Sequence, residues 1–216
     1  VSTNQNDEER DALFPESFLQ ALVARGTTRS FPKGAIIVHE GEHSDSLYVI
    51  LSGTVKVYLA DDAGKELMLN TQGAGEYFGE MILDDGPRSA SVMTLEPCRM
   101  AVVSREQFRQ ALAEDVDGTV ALVRSLIHRV RELTKTAGTL GLLDVYGRVV
   151  KLLTDMAVPV DGRLTIPLKL TQQDIASRIG CGREMVSRIF KDLKAGGYLS
   201  VDDGQIVILK KPPKAW

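Results

Sequence analysis

Two periods alternate along this chain. Past a short amphipathic stretch, PESFLQALVARG, come AIIVHE, SLYVIL, TVKVYLA, ELMLNT, SASVMTL and RMAVVS. These runs are short, rich in β-branched residues and punctuated by Gly, Asp, Ser and Pro, which predicts strands joined by turns. Ser52-Gly53 and DDAGK at Asp61 to Lys65 predict hairpins. Strands so closely spaced predict a jelly roll or small barrel, an architecture able to enclose one small ligand.

From Ser104 the period lengthens. Ser104 is placed to cap REQFRQALAEDV, with Gln107 completing a capping box. A long helical pattern then runs to about Gly141. Val116, Val120, Val123, Ile127, Val130, Thr134, Ala137 and Gly141 alternate spacings of four and three, the pattern of a coiled-coil seam. Such a seam predicts a homodimer. A second stripe, Leu122, Leu126, Leu133 and Leu140, is expected to pack back on the barrel. Thr134 is polar within the seam. It either bonds to its own helix or faces something polar trapped between helix and barrel.

The pattern stays helical through LLDVYGRVVKLLTDMA and breaks before Pro159; DGRLTIPLKLT reads as a small hairpin or extended arm. In TQQDIASRIGCGREMVSRIFKDLKAGGYLS, Thr171 caps a short helix with Asp174 three residues on, Ala176 is small where two helices would cross, and Gly180 supplies a sharp turn. Ile175, Ile179, Val186 and Ile189 lock the pair. This is a helix-turn-helix pattern. YLSVDDGQIVIL, turning on Asp-Gly, would complete a winged helix. Arg183, Glu184, Ser187 and Arg188 fall on the outer face of the second helix, where arginine can bond guanine and glutamate can accept from cytosine. A solvated helix with a Glu184–Arg188 pair is the plainer alternative.

Charge sharpens the division. From Tyr146 onward there are 12 Lys+Arg against 7 Asp+Glu, a net of +5; the residues before it carry 14 against 22, a net of −8. Only the back part is suited to a polyanion. No apolar run approaches the roughly 18 residues that span a bilayer, so no membrane association is expected. The polar, acidic start VSTNQNDEERD has neither signal- nor transit-peptide character. Cys98 and Cys181 stand alone, which suits reduced thiols in the cytoplasm and argues against a cysteine-ligated metal. His39 and His43 are four apart, but EGEHSD is a turn rather than a helix, so no metal is expected there either. No nucleophile sits within a readable base constellation, so an enzyme is not expected.

The stretch YFGEMILDDGPRSASV poses a separate question. Arg88 and Ser89 close an acidic loop holding Glu80, Asp84 and Asp85. Either Arg88 neutralises those carboxylates, or it joins Ser89 and free amides in holding an anion.

Taken together, FPKGAIIVHEGEHSDSLYVILSGTVKV, YFGEMILDDGPRSASV, LLDVYGRVVKLL and GCGREMVSRIFKDL resemble the CRP/FNR family of bacterial transcription regulators, over nearly all of the chain from Phe14 to Leu209. The resemblance implies an α+β protein: a double-stranded β-roll (jelly-roll) sensory domain over 14–113, a dimerisation helix over 114–143 and a winged-helix DNA-binding domain over 144–216. It implies a phosphate-binding cassette in which Gly79 and Glu80 lie by the ribose while Arg88 and Ser89 hold a cyclic phosphate. The dimer-helix pair that reaches the base in the family, threonine then serine, is Leu133 and Thr134 here, so Thr134 is a ligand candidate. Cyclic AMP, cyclic GMP, a cyclic dinucleotide or no nucleotide all stay open. DNA contact is expected from Thr171, Gln172, Arg183, Glu184, Ser187 and Arg188. Arg183, Glu184 and Arg188 resemble the family's readers of TGTGA half-sites, and the pattern of readers of TTGAT is present too. The shared GA step is the firmest expectation, within an inverted repeat on double-stranded DNA. RNA polymerase is the implied further partner. A regulator with no nucleotide ligand, or a nucleotide-binding module without DNA, are the alternatives.

Overall fold

The computed structural model describes residues 14–160, 162–202 and 204–213. They form two compact units: one runs to Leu59 and resumes over Leu69–Thr134; the other holds Ala60–Met68 and what is described from Lys135.

In the first unit, α1 (Glu16–Arg25) precedes two four-stranded antiparallel sheets, of whose residues only Ala60 and Glu66–Met68 fall in the second unit. One has the order β1-β8-β3-β6, with β1 Thr27–Phe31, β8 Cys98–Ser104, β3 Ser46–Ser52 and β6 Tyr77–Phe78; the other has the order β2-β7-β4-β5, with β2 Ile36–Val38, β7 Ser91–Thr94, β4 Val55–Ala60 and β5 Glu66–Gln72. This is the expected β-roll. Each of the six β-branched runs from AIIVHE to RMAVVS contains a strand. Two strands carried no period-two signal: β1 is exposed over Thr27–Ser30 yet pairs with β8 along its whole length, Thr27 with Val102 through Phe31 with Cys98, and β6 is two residues long. Backbone pairing, rather than side-chain burial, makes β1 a strand, and β6, though buried, is too short to show a period.

Ser104 caps α2 (Arg105–Glu114) in the expected reciprocal box with Gln107. α3 then runs from Val116 to Leu142. Its inward face is Gly118, Ala121, Leu122 and Ser125. Gly118 is required there: a Cβ would lie 2.3 Å from the Phe18 ring. The expected leucine stripe is corrected: Leu122 is buried, whereas Leu126 and Leu133 are exposed. Small residues let α3 approach α1 more closely than leucines would. Val116, Val120, Val123, Ile127 and Val130 are all exposed on this single chain, as an unpaired seam requires.

In the second unit, Asp144 caps α4 (Val145–Met156), and α5 (Gln172–Ile179) and α6 (Arg183–Ala195) form the helix pair. Gly180 adopts φ +65°, the left-handed turn that the sequence assigned to it. Ile175, Ala176, Ile179, Val186, Ile189, Phe190 and Leu193 make one core with Val149 and Leu153 of α4. Two hairpins, β9–β10 (Val158–Val160, Arg163–Thr165) and β11–β12 (Leu199–Asp202, Gln205–Ile208), merge into one sheet through Leu164–Ile208 and Thr165–Val207 pairs. The arm read from DGRLTIPLKLT is thus part of the wing sheet.

Candidate ligand site and DNA-reading surface

β6 leads into a 3-10 turn, Glu80–Leu83, through Gly79 at φ +90°. A Cβ on Gly79 would stand 2.8 Å from both Arg88 NH1 and the Ser46 carbonyl oxygen. Glycine therefore satisfies two demands here: the left-handed backbone and the approach of a guanidinium.

Arg88 is 5% exposed. Its NH1 donates to the Gly79 carbonyl at 2.8 Å, and its NH2 donates to Ser44 Oγ at 3.0 Å and to the Ser46 carbonyl. Its backbone is pinned as well: its N donates to the Glu42 carbonyl and its carbonyl accepts from Gly41 N. Nε is buried without a partner. Burial lowers the guanidinium pKa from its ordinary value, with Tyr48, Glu80 and Asp45 opposing.

These contacts bear on the two roles open to Arg88. Two of the three acidic neighbours are matched elsewhere: Asp85 pairs with Arg105, and Glu80 Oε1 with Arg129 NH1 at 2.7 Å. Arg88 is held by neutral oxygens and pairs with no carboxylate among the described residues. A buried cation surrounded only by dipoles gains most from an anion. Ser89 is exposed beside it.

Arg129 is a site residue that the sequence reading passed over. It projects from α3, holds Glu80, donates NH2 to the Tyr77 carbonyl at 2.9 Å, and lies 5.0 Å from the Tyr77 ring centroid. Leu122, Ser125 and Arg129 are spaced three and four apart, so a polar interruption of the inward face was the available signal. Gln72 was also missed; it is buried, and its Nε2 donates to the same Tyr77 carbonyl at 2.9 Å. The Tyr77 hydroxyl lies by Ser125 without a hydrogen bond of ordinary geometry, and burial pushes its pKa up.

Thr134 is exposed, and its Oγ1 donates to the Val130 carbonyl at 2.8 Å, the ordinary bond of a helical threonine. It lies five residues beyond Arg129, about 7.5 Å along the helix axis.

In the second unit, Gln172, Gly182, Arg183, Glu184 and Ser187 line one open groove, and Arg188 is exposed further along α6. No ion pair joins Glu184 to Arg188 among the described residues, so both side chains are available to a duplex. Thr171 is committed locally: its Oγ1 contacts Asp174 Oδ2 at 2.6 Å and accepts from Asp174 N at 3.1 Å. The apolar face of α6, Val186, Ile189, Phe190 and Leu193, is buried, and this fixes which face the polar four present.

A family model described as a cyclic nucleotide-binding domain matches residues 28–115, and one described as a Crp-like helix-turn-helix domain matches 147–213. The chain is 31% identical to the cAMP-activated global transcriptional regulator Vfr of Pseudomonas aeruginosa, over 88% of this chain and 92% of that protein. It is 33% identical to the cAMP-activated global transcriptional regulator CRP of Salmonella typhimurium, over 82% of this chain and 87% of that protein. Among solved structures, the c-di-GMP responsive global regulator CLP of Xanthomonas campestris superposes with a TM-score of 0.80 at 27% identity, covering 91% of this chain and all of that one.

Proposed function

Since this chain belongs to the CRP/FNR family of DNA-binding transcription regulators, we propose that its β-roll binds a 3′,5′-cyclic purine mononucleotide through Arg88. The chain is a ligand-controlled, DNA-binding transcription regulator and not an enzyme. Its relatives support a cyclic nucleotide as the ligand and a dimer as the DNA-binding form. No helix among the described residues is long and apolar enough to cross a membrane.

One observation carries the ligand reading: a buried guanidinium whose partners are all neutral and whose Nε has none. The cyclic phosphate is the anion that this cation lacks. Arg88 gives it Nε, and the Ser89 hydroxyl, exposed beside it, gives a second donor. Glu80 Oε2, buried and partnerless, accepts from the ribose 2′-hydroxyl. Because Glu80 Oε1 is held by Arg129, ligand contact at Glu80 is felt on α3, the helix that carries the dimer seam. Thr134 reaches the base by exchanging its bond to Val130 for one to the ligand.

Calorimetry with cyclic AMP, cyclic GMP and cyclic di-GMP tests this. One of the two mononucleotides binds wild type, and Arg88→Leu lowers its affinity at least about 100-fold, as loss of a charge-assisted phosphate contact requires. Failure of both mononucleotides to bind, or tighter binding of the dinucleotide, defeats the reading.

On DNA, Arg183, Glu184, Ser187 and Arg188 read base edges, with Gln172 at the backbone and Thr171 joining it by exchanging its hydroxyl bond to Asp174 for one to a phosphate. The site is an inverted repeat of TGTGA-like half-sites with centres about 34 Å apart. From there the dimer meets RNA polymerase. Selection from random DNA checks the site; recovered sequences lacking both a GA step and inverted symmetry would reject it.

A further inference from the structure

Gln72 ends β5 and is 3% exposed. The donation of its Nε2 to the Tyr77 carbonyl decides which way the amide faces, because a carbonyl cannot donate to Oε1 in return. Oε1 therefore points away from Tyr77. It is buried, and it has no hydrogen-bond partner. A buried amide oxygen without a donor is costly, and it persists where another molecule supplies the donor.

Its surroundings indicate which molecule. The Tyr77 carbonyl also accepts from Arg129 NH2 at 2.9 Å, and Arg129 NH1 holds Glu80 Oε1 at 2.7 Å. Gln72 is therefore joined through Tyr77 and Arg129 to Glu80, whose Oε2 is the second buried acceptor without a partner. Two such acceptors belong to one continuous network at the free edge of β6, on the cassette that holds Gly79 and Arg88.

We propose that Gln72 is a base-selecting residue, its Oε1 accepting a hydrogen bond from the exocyclic amine of the ligand's nucleobase. The inference rests on reading the cassette as a cyclic mononucleotide site. A 3′,5′-cyclic mononucleotide has few donors to offer. Its 3′ and 5′ oxygens are both closed into the phosphodiester ring, and its phosphate is ionised and carries no proton at neutral pH. The sugar keeps a single hydroxyl, at 2′, and Glu80 Oε2 takes it. Every remaining donor is an N–H of the base, and the exocyclic amine is the one that adenine and guanine share. Gln72 Oε1 also repels a base edge that presents an oxygen, since two acceptors would then face each other. A site built to accept from a ligand N–H rejects an analogue that lacks it, because its own polar atom is left unpaired.

Calorimetry on the whole chain with matched nucleotides tests this. Cyclic AMP is paired with purine riboside 3′,5′-cyclic phosphate, which lacks the N6 amine, and cyclic GMP with cyclic IMP, which lacks the N2 amine. For whichever parent binds wild type more tightly, loss of the amine lowers affinity about tenfold. In Gln72→Met, which keeps the length and loses the acceptor, the two members of that pair bind within about twofold of each other. The 2′-deoxy analogue of the parent is penalised alike in wild type and variant, because that contact belongs to Glu80. Equal affinities within the pair for wild type would overturn the proposal without any variant having to fold. An undiminished amine penalty in Gln72→Met, or a 2′-deoxy penalty that vanishes there, would overturn it too, the latter by assigning the oxygen to the sugar. If wild type binds no cyclic mononucleotide, the cassette reading fails and takes this one with it. If it binds them without discriminating, only the role of Gln72 falls.

Discussion

Gly79 and Tyr77 show how much single side chains decide. With φ at +90° and two atoms 2.8 Å from its would-be Cβ, Gly79 has no tolerated substitute. Gly79→Ala should cost about 2 kcal/mol or more in urea unfolding, from the left-handed backbone and the collision combined. It should also displace Arg88 and weaken nucleotide binding; wild-type stability and affinity in this variant would show the geometry to be wrong. Tyr77 behaves oppositely. Its ring packs on Phe14 and within the core, while its hydroxyl is buried without a partner. Tyr77→Phe should leave stability at neutral pH unchanged or raise it by about 1 kcal/mol, since a desolvated hydroxyl is removed. The phenol's pKa is raised by burial, so its contribution is fully present below the unfolded value of 10.0 and is lost as pH rises through the higher folded value. Unfolding curves should therefore show wild type losing more stability than Tyr77→Phe as pH rises above the unfolded value of 10.0, and parallel pH profiles would reject the burial argument.

At the scale of elements, α3 does two jobs with two faces. Gly118, Ala121, Leu122 and Ser125 face the β-roll and Arg129 reaches its cassette, while Val116, Val120, Val123, Ile127 and Val130 stay exposed. Ile127 is 48% exposed on the single chain, so Ile127→Asp should leave the isolated fold intact and dissociate the dimer by burying a carboxylate in an apolar seam. Sedimentation should find monomer at micromolar concentration; a dimer of unchanged strength would mean that the seam lies elsewhere. Caps at Ser104 and Thr171 start their helices as written in the sequence, each through a reciprocal box.

For the whole molecule, the division of charge matches the division of labour. The basic back part carries the helix pair, and the acidic front part carries the cassette. Arg188 is exposed on α6 and forms no ion pair among the described residues, so Arg188→Ala should cost about 1–3 kcal/mol in binding to the inverted repeat and relax the choice of one guanine. Binding measured on single-base variants of the site checks this: an equal loss on every sequence would move Arg188 from base reading to phosphate contact.

What the sequence determined by itself was everything encoded at short range. Alternation set the strands that bury a face, and the capping residues set helix starts. Gly180 set the turn, and the spacing of Ile175, Ile179, Val186 and Ile189 set the helix pair. The motif residues from Gly79 to Ser89 were legible as a candidate anion site. What they touch was not. Arg88 meets Ser44 and Ser46, Glu80 meets Arg129, and Gln72 and Arg129 share the Tyr77 carbonyl, over separations of 42 to 52 residues for all but the Gln72 contact. Local periodicity says which side of an element is buried, and says nothing of which distant residue it will meet. The same limit hid β1, whose pairing with β8 uses backbone groups that every residue carries, and the merging of two hairpins into one wing sheet. Tertiary structure decided those pairings, because hydrogen-bond partners far apart in the chain are chosen by the packing of whole elements.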